Sequence, residues 1–191
     1  MAPAGGIGVM LLLIGASGAI FALVALVLRD KVGTVSAWAI AGFCWSLVVI
    51  AVLTLVPTEA DVGVVSAEGR MTSCSTDIGG PAPDGFWIFA GGQRLLNTVL
   101  FIPAAALLVV GASRWRIGWL LVPLGLVGLA AYSAIIELTQ LELARIDRAC
   151  DLTDVVDNVS GALVGVGLGL VLVALFRPWR HRKVGGFEAR R

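Results

Sequence analysis

The chain has 191 residues, of which 58% are hydrophobic and 14% are charged, and its formal net charge is +1. Soluble domains carry about 25% charged residues, so this composition excludes a disordered chain, a nucleic-acid-binding protein and an ordinary water-soluble enzyme. Three cysteines are too few for a disulfide scaffold, and no Cys-x-x-Cys pair indicates a zinc site. The composition predicts an integral membrane protein whose main partner is the lipid bilayer.

Five apolar stretches are long enough to cross a membrane. A helix needs about 20 apolar residues to span a hydrocarbon layer ~30 Å thick, and helices satisfy their own backbone hydrogen bonds in lipid. The predicted spans cover residues 7–28, 36–56, 95–112, 117–140 and 155–176. The predicted fold class is therefore all-α, a bundle of five transmembrane helices.

The first span is expected to remain in the mature protein. A secretory signal has a basic segment before a shorter apolar run. Here the first basic residue, Arg29, follows the apolar run instead of preceding it.

The distribution of basic residues predicts the orientation, because Lys and Arg collect in cytoplasmic segments. Five spans place the connections after the first and third spans on the same side as the C-terminus. That side holds ten basic residues, namely Arg29, Lys31, Arg114, Arg116, Arg177, Arg180, Arg182, Lys183, Arg190 and Arg191. The other side holds Arg70, Arg145 and Arg148, with Arg94 at its border. We expect the N-terminus outside and the C-terminus inside, in the cytoplasmic (inner) membrane.

The chain is expected to form one membrane domain over residues 1–179, followed by a basic cytoplasmic tail at 180–191. Residues 57–92 form an acidic extracellular loop. This loop is long for a connection, and loops of that length are usually functional or disordered.

Polar residues near the span ends form three groups, and ionisable residues within membrane helices usually indicate function. Within each group the spacing of three or four residues places the side chains on one helix face. The predicted topology brings all three groups to the outer end of the bundle, where they would line one pocket. Its predicted members are Arg94 and Asn97, then Glu137 and Gln140 on the face of Ser133, then Arg148, Asp151, Asp154 and Asn158.

Two further features concern packing and covalent structure. Gly161, Gly165 and Gly169 recur every fourth residue, a pattern that lets helix backbones approach closely. They predict a contact inside the chain, with a homodimer interface as the alternative. Cys74 and Cys150 both fall in predicted outer loops, and an oxidising exterior permits a disulfide between them.

The three polar groups, in this order, resemble the VanZ-like family of bacterial membrane proteins. The matching motifs are N-x-x-x-F-x-P from Asn97 to Pro103, E-x-x-Q from Glu137 to Gln140, and R-x-x-D-x-x-D-x-x-x-N-x-x-G from Arg148 to Gly161. The likeness covers a core of about residues 93–176 and, more loosely, the first two spans. Asp157 departs from the family pattern, which usually has an apolar residue there.

The resemblance implies a role in the cell envelope, since the namesake of the family is associated with resistance to teicoplanin. It supplies no mechanism, so the residues themselves leave three hypotheses. In the first, Arg94, Arg145 and Arg148 bind the phosphates of a lipid-linked cell-wall or teichoic-acid precursor, because arginine recognises phosphate through paired hydrogen bonds.

The second hypothesis is a membrane enzyme in which Glu137, Asp151 and Asp154 bind a divalent cation through oxygen ligands. No other cofactor and no catalytic residue can be named from the sequence. The third is purely structural: Glu137 would pair with Arg94, and Asp151 or Asp154 with Arg148, because buried charges must be paired.

The predicted orientation can be tested with reporter fusions. Alkaline phosphatase needs the oxidising exterior to form its disulfides. We expect it to be inactive when fused after Arg191 and active when inserted into the 57–92 loop. The opposite pattern of phosphatase activity in intact cells would invert the topology.

Overall fold

The structure, a computed structural model, describes residues 5–57, 73–74, 92–142 and 150–176. Within these residues it contains five helices and no β-strand: α1 (Ile7–Val32), α2 (Thr34–Leu55), α3 (Gly92–Ala112), α4 (Gly118–Glu142) and α5 (Leu152–Phe176). All five are long and apolar enough to cross a membrane. The predicted all-α, multi-pass architecture is confirmed.

All five helices extend past one end of the predicted apolar stretch, and α1, α3 and α5 do so by three or four residues. α1 continues through Arg29 and Lys31, which lie in its last turn, where positive charge interacts favourably with the helix dipole. α3 begins at Gly92, and α5 begins at Leu152 because the side chain of Asp151 caps it. The Asp151 Oδ1 accepts a hydrogen bond from the backbone N–H of Thr153 at 2.9 Å. Charged and polar residues at the membrane boundary therefore continue the helices rather than end them.

A single residue, Gly33, joins α1 to α2. Its φ of +82° lies in a region that side-chain-bearing residues rarely adopt, so glycine allows the chain to reverse here without a longer loop. At the opposite end of this hairpin, the N–H of Gly6 donates to the carbonyl oxygen of Pro57 at 2.9 Å. α1 packs chiefly against α2 and has few buried residues.

α3 lies at the centre of the bundle, against α5, α2 and α4. Its inward face consists of Phe101, Ala104 and Ala105, which are almost completely buried. These residues join Ile50 of α2 and Ala162 of α5 in one apolar core. Small residues on α3 let three neighbouring helices approach it closely.

The closest helix contact is between α5 and α3, and glycines make it possible. A Cβ atom added at Gly161 would overlap the carbonyl oxygen of Thr98. One added at Gly169 would lie 2.7 Å from the Cβ of Val109, and one at Gly165 would lie 2.9 Å from the Cβ of Ala105. The glycine face is therefore used inside the chain, as the first of the two alternatives predicted.

This contact predicts opposite effects at two glycines of α5. Gly161→Ala should lower the free energy of unfolding by about 1–3 kcal/mol, the usual cost of overpacking. A Cβ atom added at Gly167 would meet no other atom within 4 Å, so Gly167→Ala should raise the free energy of unfolding by about 0.5–1 kcal/mol. Thermal unfolding of the two purified variants in detergent measures both changes. Equal effects would show that α5 does not pack on α3 through Gly161.

Candidate functional site

Polar side chains from α2, α3, α4 and α5 meet at one end of the bundle. The up-and-down order of the helices puts the end of α2, the start of α3, the end of α4 and the start of α5 together there. We call this group the polar site; its described members are Thr54, Arg94, Asn97, Ser133, Glu137, Gln140, Asp151, Asp154, Asp157 and Asn158. It is the end of the bundle that the sequence predicts to face outward.

The strongest link in the polar site is an ion pair between α3 and α5. The Nε of Arg94 lies 2.8 Å from the Oδ2 of Asp157, and its Nη2 lies 3.0 Å from the Oδ1. Two parallel hydrogen bonds of this kind fix the guanidinium and the carboxylate in one plane. Asp157 is 0% exposed, whereas the side chain of Arg94 is 17% exposed. The pair thus buries its negative partner and leaves its positive partner near the surface.

Asp157 and Thr54 are the described site residues that the sequence did not predict, and Asp157 forms the stronger link. The sequence analysis noted Asp157 only as a departure from the pattern of the family that the chain resembles, and the predicted pocket does not include it. The available signal was its spacing: Asp157 lies four residues before Gly161, on the face of α5 that packs against α3. The bidentate partner of Arg94 is therefore Asp157, and the predicted pairing of Arg94 with Glu137 is replaced.

Glu137 instead connects α4 to the start of α5. Its side chain is buried, and its Oε2 accepts a hydrogen bond from the backbone N–H of Asp151 at 3.1 Å. Asp151 in turn caps α5 through Thr153, so one carboxylate positions the first turn of the helix that carries Asp157. The predicted pairs of Asp151 or Asp154 with Arg148 lie outside the described residues, as do Arg145 and Arg148 themselves.

Two buried amides complete the links between helices. The Nε2 of Gln140 donates to the carbonyl oxygen of Thr54 at 3.0 Å. The Nδ2 of Asn158 donates to the Oγ of Ser133 at 2.8 Å. The Oδ1 of Asn158 is buried and has no hydrogen-bond partner among the described residues. Buried polar atoms in proteins are nearly always paired, so an acceptor without a donor among the described residues is unusual at this position.

A disulfide joins Cys74 to Cys150, directly before the start of α5. The two Cα atoms are 4.6 Å apart, within the range that disulfides allow. Cys150 is almost completely buried, and Cys44, in α2, is a free thiol. The bond therefore fixes residue 74 of the long connection beside Asp151 and the polar site.

The structure brings most of the predicted pocket together. Asn97, Glu137, Gln140 and Asn158 are buried. Arg94, Asp151 and Asp154 are only partly buried. Within the described parts of the chain, no group of three His, Cys, Asp or Glu side chains is placed to hold a metal ion. The divalent-cation alternative built on Glu137, Asp151 and Asp154 gains no support from this geometry.

The sequence model of the VanZ/LLP1 family matches residues 43–175. The chain belongs to the VanZ/LLP1 family. The match runs from α2 to the end of α5, so it starts well before the predicted core at 93 and includes the whole polar site, while α1 lies outside it. The resemblance read from the motifs is confirmed. No curated protein and no solved structure matches this chain.

The ion pair predicts a large loss of stability when one partner is removed. Arg94→Ala leaves Asp157 buried without its bidentate partner and should lower the free energy of unfolding by about 3–5 kcal/mol. The double variant with Asp157→Asn should recover a large part of that loss, because no buried charge then remains at this position.

The matched control is Arg29→Ala, which removes an exposed ion pair with Asp30 at 3.7 Å. Such surface pairs contribute little, so its stability should match that of the unsubstituted protein. Thermal unfolding of the unsubstituted protein, the control, both single variants and the double variant gives the coupling between Arg94 and Asp157. Additive effects of the two substitutions would show that the pair is not energetically coupled.

Proposed function

We propose that this VanZ/LLP1-family protein binds the polar head group of an envelope lipid in its polar site. The observation that carries the proposal is the unpaired, buried Oδ1 of Asn158 among polar side chains from four helices. A helix bundle in lipid does not need a cluster of buried polar side chains for its stability, because even buried ion pairs often stabilise a protein no more than apolar packing does. A buried acceptor without a donor is expected where a ligand supplies the missing hydrogen bond.

The position of the site supports a lipid head group as the ligand. The polar site lies at the ends of membrane-spanning helices, which is the level of the head groups. Arg94 and Asp154 are only partly buried, so a ligand approaching along the membrane surface meets them first. The predicted orientation places this surface on the outer side of the membrane, where lipid-linked intermediates of the cell wall and of teichoic acids are used.

The family suggests what such binding does for the cell. Its namesake is associated with resistance to teicoplanin, a glycopeptide that acts on the envelope. A protein that binds a lipid-linked precursor changes how much of that precursor is available at the outer surface. We propose that the protein affects susceptibility to teicoplanin-type glycopeptides in this way.

A purely structural network is the second candidate, and specific contacts favour it. Arg94–Asp157, Asn158–Ser133 and Gln140–Thr54 each join two different helices. In lipid, polar bonds of this kind help hold helices together. The two candidates differ in what a charge-neutral substitution does to ligand binding in a protein that remains folded.

That difference gives a direct test with isosteric variants. Glu137→Gln and Asp154→Asn remove a charge without changing side-chain size. If the site binds a head group, each should weaken lipid binding about tenfold, the equivalent of ~1.4 kcal/mol, and shift teicoplanin susceptibility towards that of a deletion strain. Lipid binding is measured by native mass spectrometry of purified, folded protein with envelope lipid extract. Glu142→Gln, at the exposed end of α4, is the matched control and should change neither quantity.

A structural network should tolerate at least one of the two isosteres in both assays. Full lipid binding and unchanged glycopeptide susceptibility in both variants would refute the head-group site. Release of a water-soluble product from the lipid extract, abolished by EDTA, would instead establish a metal-dependent enzyme.

A further inference from the structure

We infer that the polar site recognises a hydrogen-bond donor, an O–H or N–H group of the lipid head group, through the side-chain oxygen of Asn158. The inference rests on the proposed function and specifies which part of the head group is bound. The phosphate of the head group then lies outside the buried part of the polar site.

The orientation of the Asn158 amide supports this assignment. Asn158 is 3% exposed, and its Nδ2 donates to the Oγ of Ser133, which is itself completely buried. That hydrogen bond turns the Oδ1 away from Ser133, and the Oδ1 has no partner among the described residues. A carbonyl oxygen can only accept hydrogen bonds. The ligand atom that satisfies it must therefore carry a hydrogen.

The charges around Asn158 disfavour a phosphate at the same place. The neighbouring residue, Asp157, is completely buried and occupies the Nε–Nη2 edge of Arg94. This edge is one of those through which arginine binds phosphate in a bidentate manner. Glu137, also buried, adds a second carboxylate to the site. A phosphodiester, which offers only acceptors, would face the Asn158 oxygen and these acidic groups.

A neutral hydroxyl or a protonated amine fits the same surroundings. Either group donates to the Asn158 oxygen, and an ammonium also gains from the nearby carboxylates. Asn158 lies one helical turn beyond Asp154 from the start of α5, so the donor has to reach into the bundle past Arg94 and Asp154. A group at the tip of a head group can do this while the phosphate remains at the surface.

Two matched pairs of lipids test the inference. Phosphatidylethanolamine and phosphatidylcholine have the same phosphate and the same net charge, but only the first carries N–H donors. Phosphatidylglycerol and phosphatidylmethanol are both anionic, but only the first carries hydroxyls. With identical acyl chains, apparent dissociation constants of the full-length protein in detergent are measured by native mass spectrometry. We expect the donor lipid of at least one pair to bind about five- to tenfold more tightly, as loss of one hydrogen bond predicts.

The pair that shows the preference identifies the donor as an ammonium or a hydroxyl. Asn158→Leu, which has the same branched shape but no acceptor, should reduce that preference to less than about twofold, since the lost hydrogen bond is its source. Asn158→Asp keeps an acceptor oxygen and should retain it, which also covers the case in which Asn158→Leu does not fold. Tyr132→Phe is the matched control: it removes another inter-helix hydrogen bond, from the Tyr132 hydroxyl to the carbonyl oxygen of Leu47, and should leave the preference unchanged.

The outcomes separate this inference from the proposed function. If the donor and donor-free lipids of both pairs bind equally well, and Glu137→Gln still weakens all of them, the inference is wrong and the head-group site remains. If Asn158→Leu keeps the preference of the unsubstituted protein, the donor is bound elsewhere and the inference is also wrong. If Glu137→Gln weakens binding from the envelope lipid extract but of none of the four lipids, the inference is wrong and the head-group site remains. If it weakens binding of neither the four lipids nor the extract, the proposed function itself fails.

Discussion

The close contact between α3 and α5 is the constraint on which the rest of the structure depends. Gly161, Gly165 and Gly169 let the two backbones touch, and this approach brings Asp157 within hydrogen-bond distance of Arg94. In lipid, where apolar side chains gain little by leaving the solvent, close packing and polar bonds have to hold helices together. One face of α5 supplies both: its glycines pack deep in the membrane, and its polar residues bond near the surface. A longer side chain at Gly161 would therefore disturb the ion pair as well as the packing.

The polar site joins the ends of four helices through direct side-chain bonds. The side chain of Gln140 in α4 bonds to the backbone carbonyl of Thr54 in α2, and Arg94 of α3 bonds to Asp157 of α5. Glu137 of α4 accepts a hydrogen bond from the backbone N–H of Asp151, directly before α5. Burying each charge of the site has a desolvation cost. The polar bonds are therefore a costly way to hold the helices together. The Oδ1 of Asn158, buried and without a hydrogen-bond partner among the described residues, is the feature on which the proposed head-group site rests. A site for a head group uses the same rigidity, because fixed partners lose little freedom when a ligand binds.

The sequence predicted the spans, their order and the depth of the polar residues, because hydropathy and spacing are properties of each helix by itself. It predicted most members of the site for the same reason. It did not predict which residues pair, because spacing shows that Arg94 and Asn97 share a face but not which neighbour that face meets. Charge pairing alone favours Glu137 opposite Arg94, whereas close packing at Gly161 puts Asp157 there. The apolar stretches are also shorter than the helices, because charged residues such as Arg29 and Lys31 stabilise a last helical turn instead of stopping the helix.

The distance along the chain between Arg94 and Asp157, 63 residues, has a consequence for biosynthesis. Chains are made from the N-terminus, so α3 is complete before α4 and α5 have left the ribosome. During that interval Arg94 has no Asp157 beside it, and its long side chain can reach the aqueous boundary to keep its charge hydrated. Only after α5 has been made can the guanidinium bond to Asp157. A chain that stops before α5 therefore leaves Arg94 without the bidentate carboxylate that the longer chain gives it.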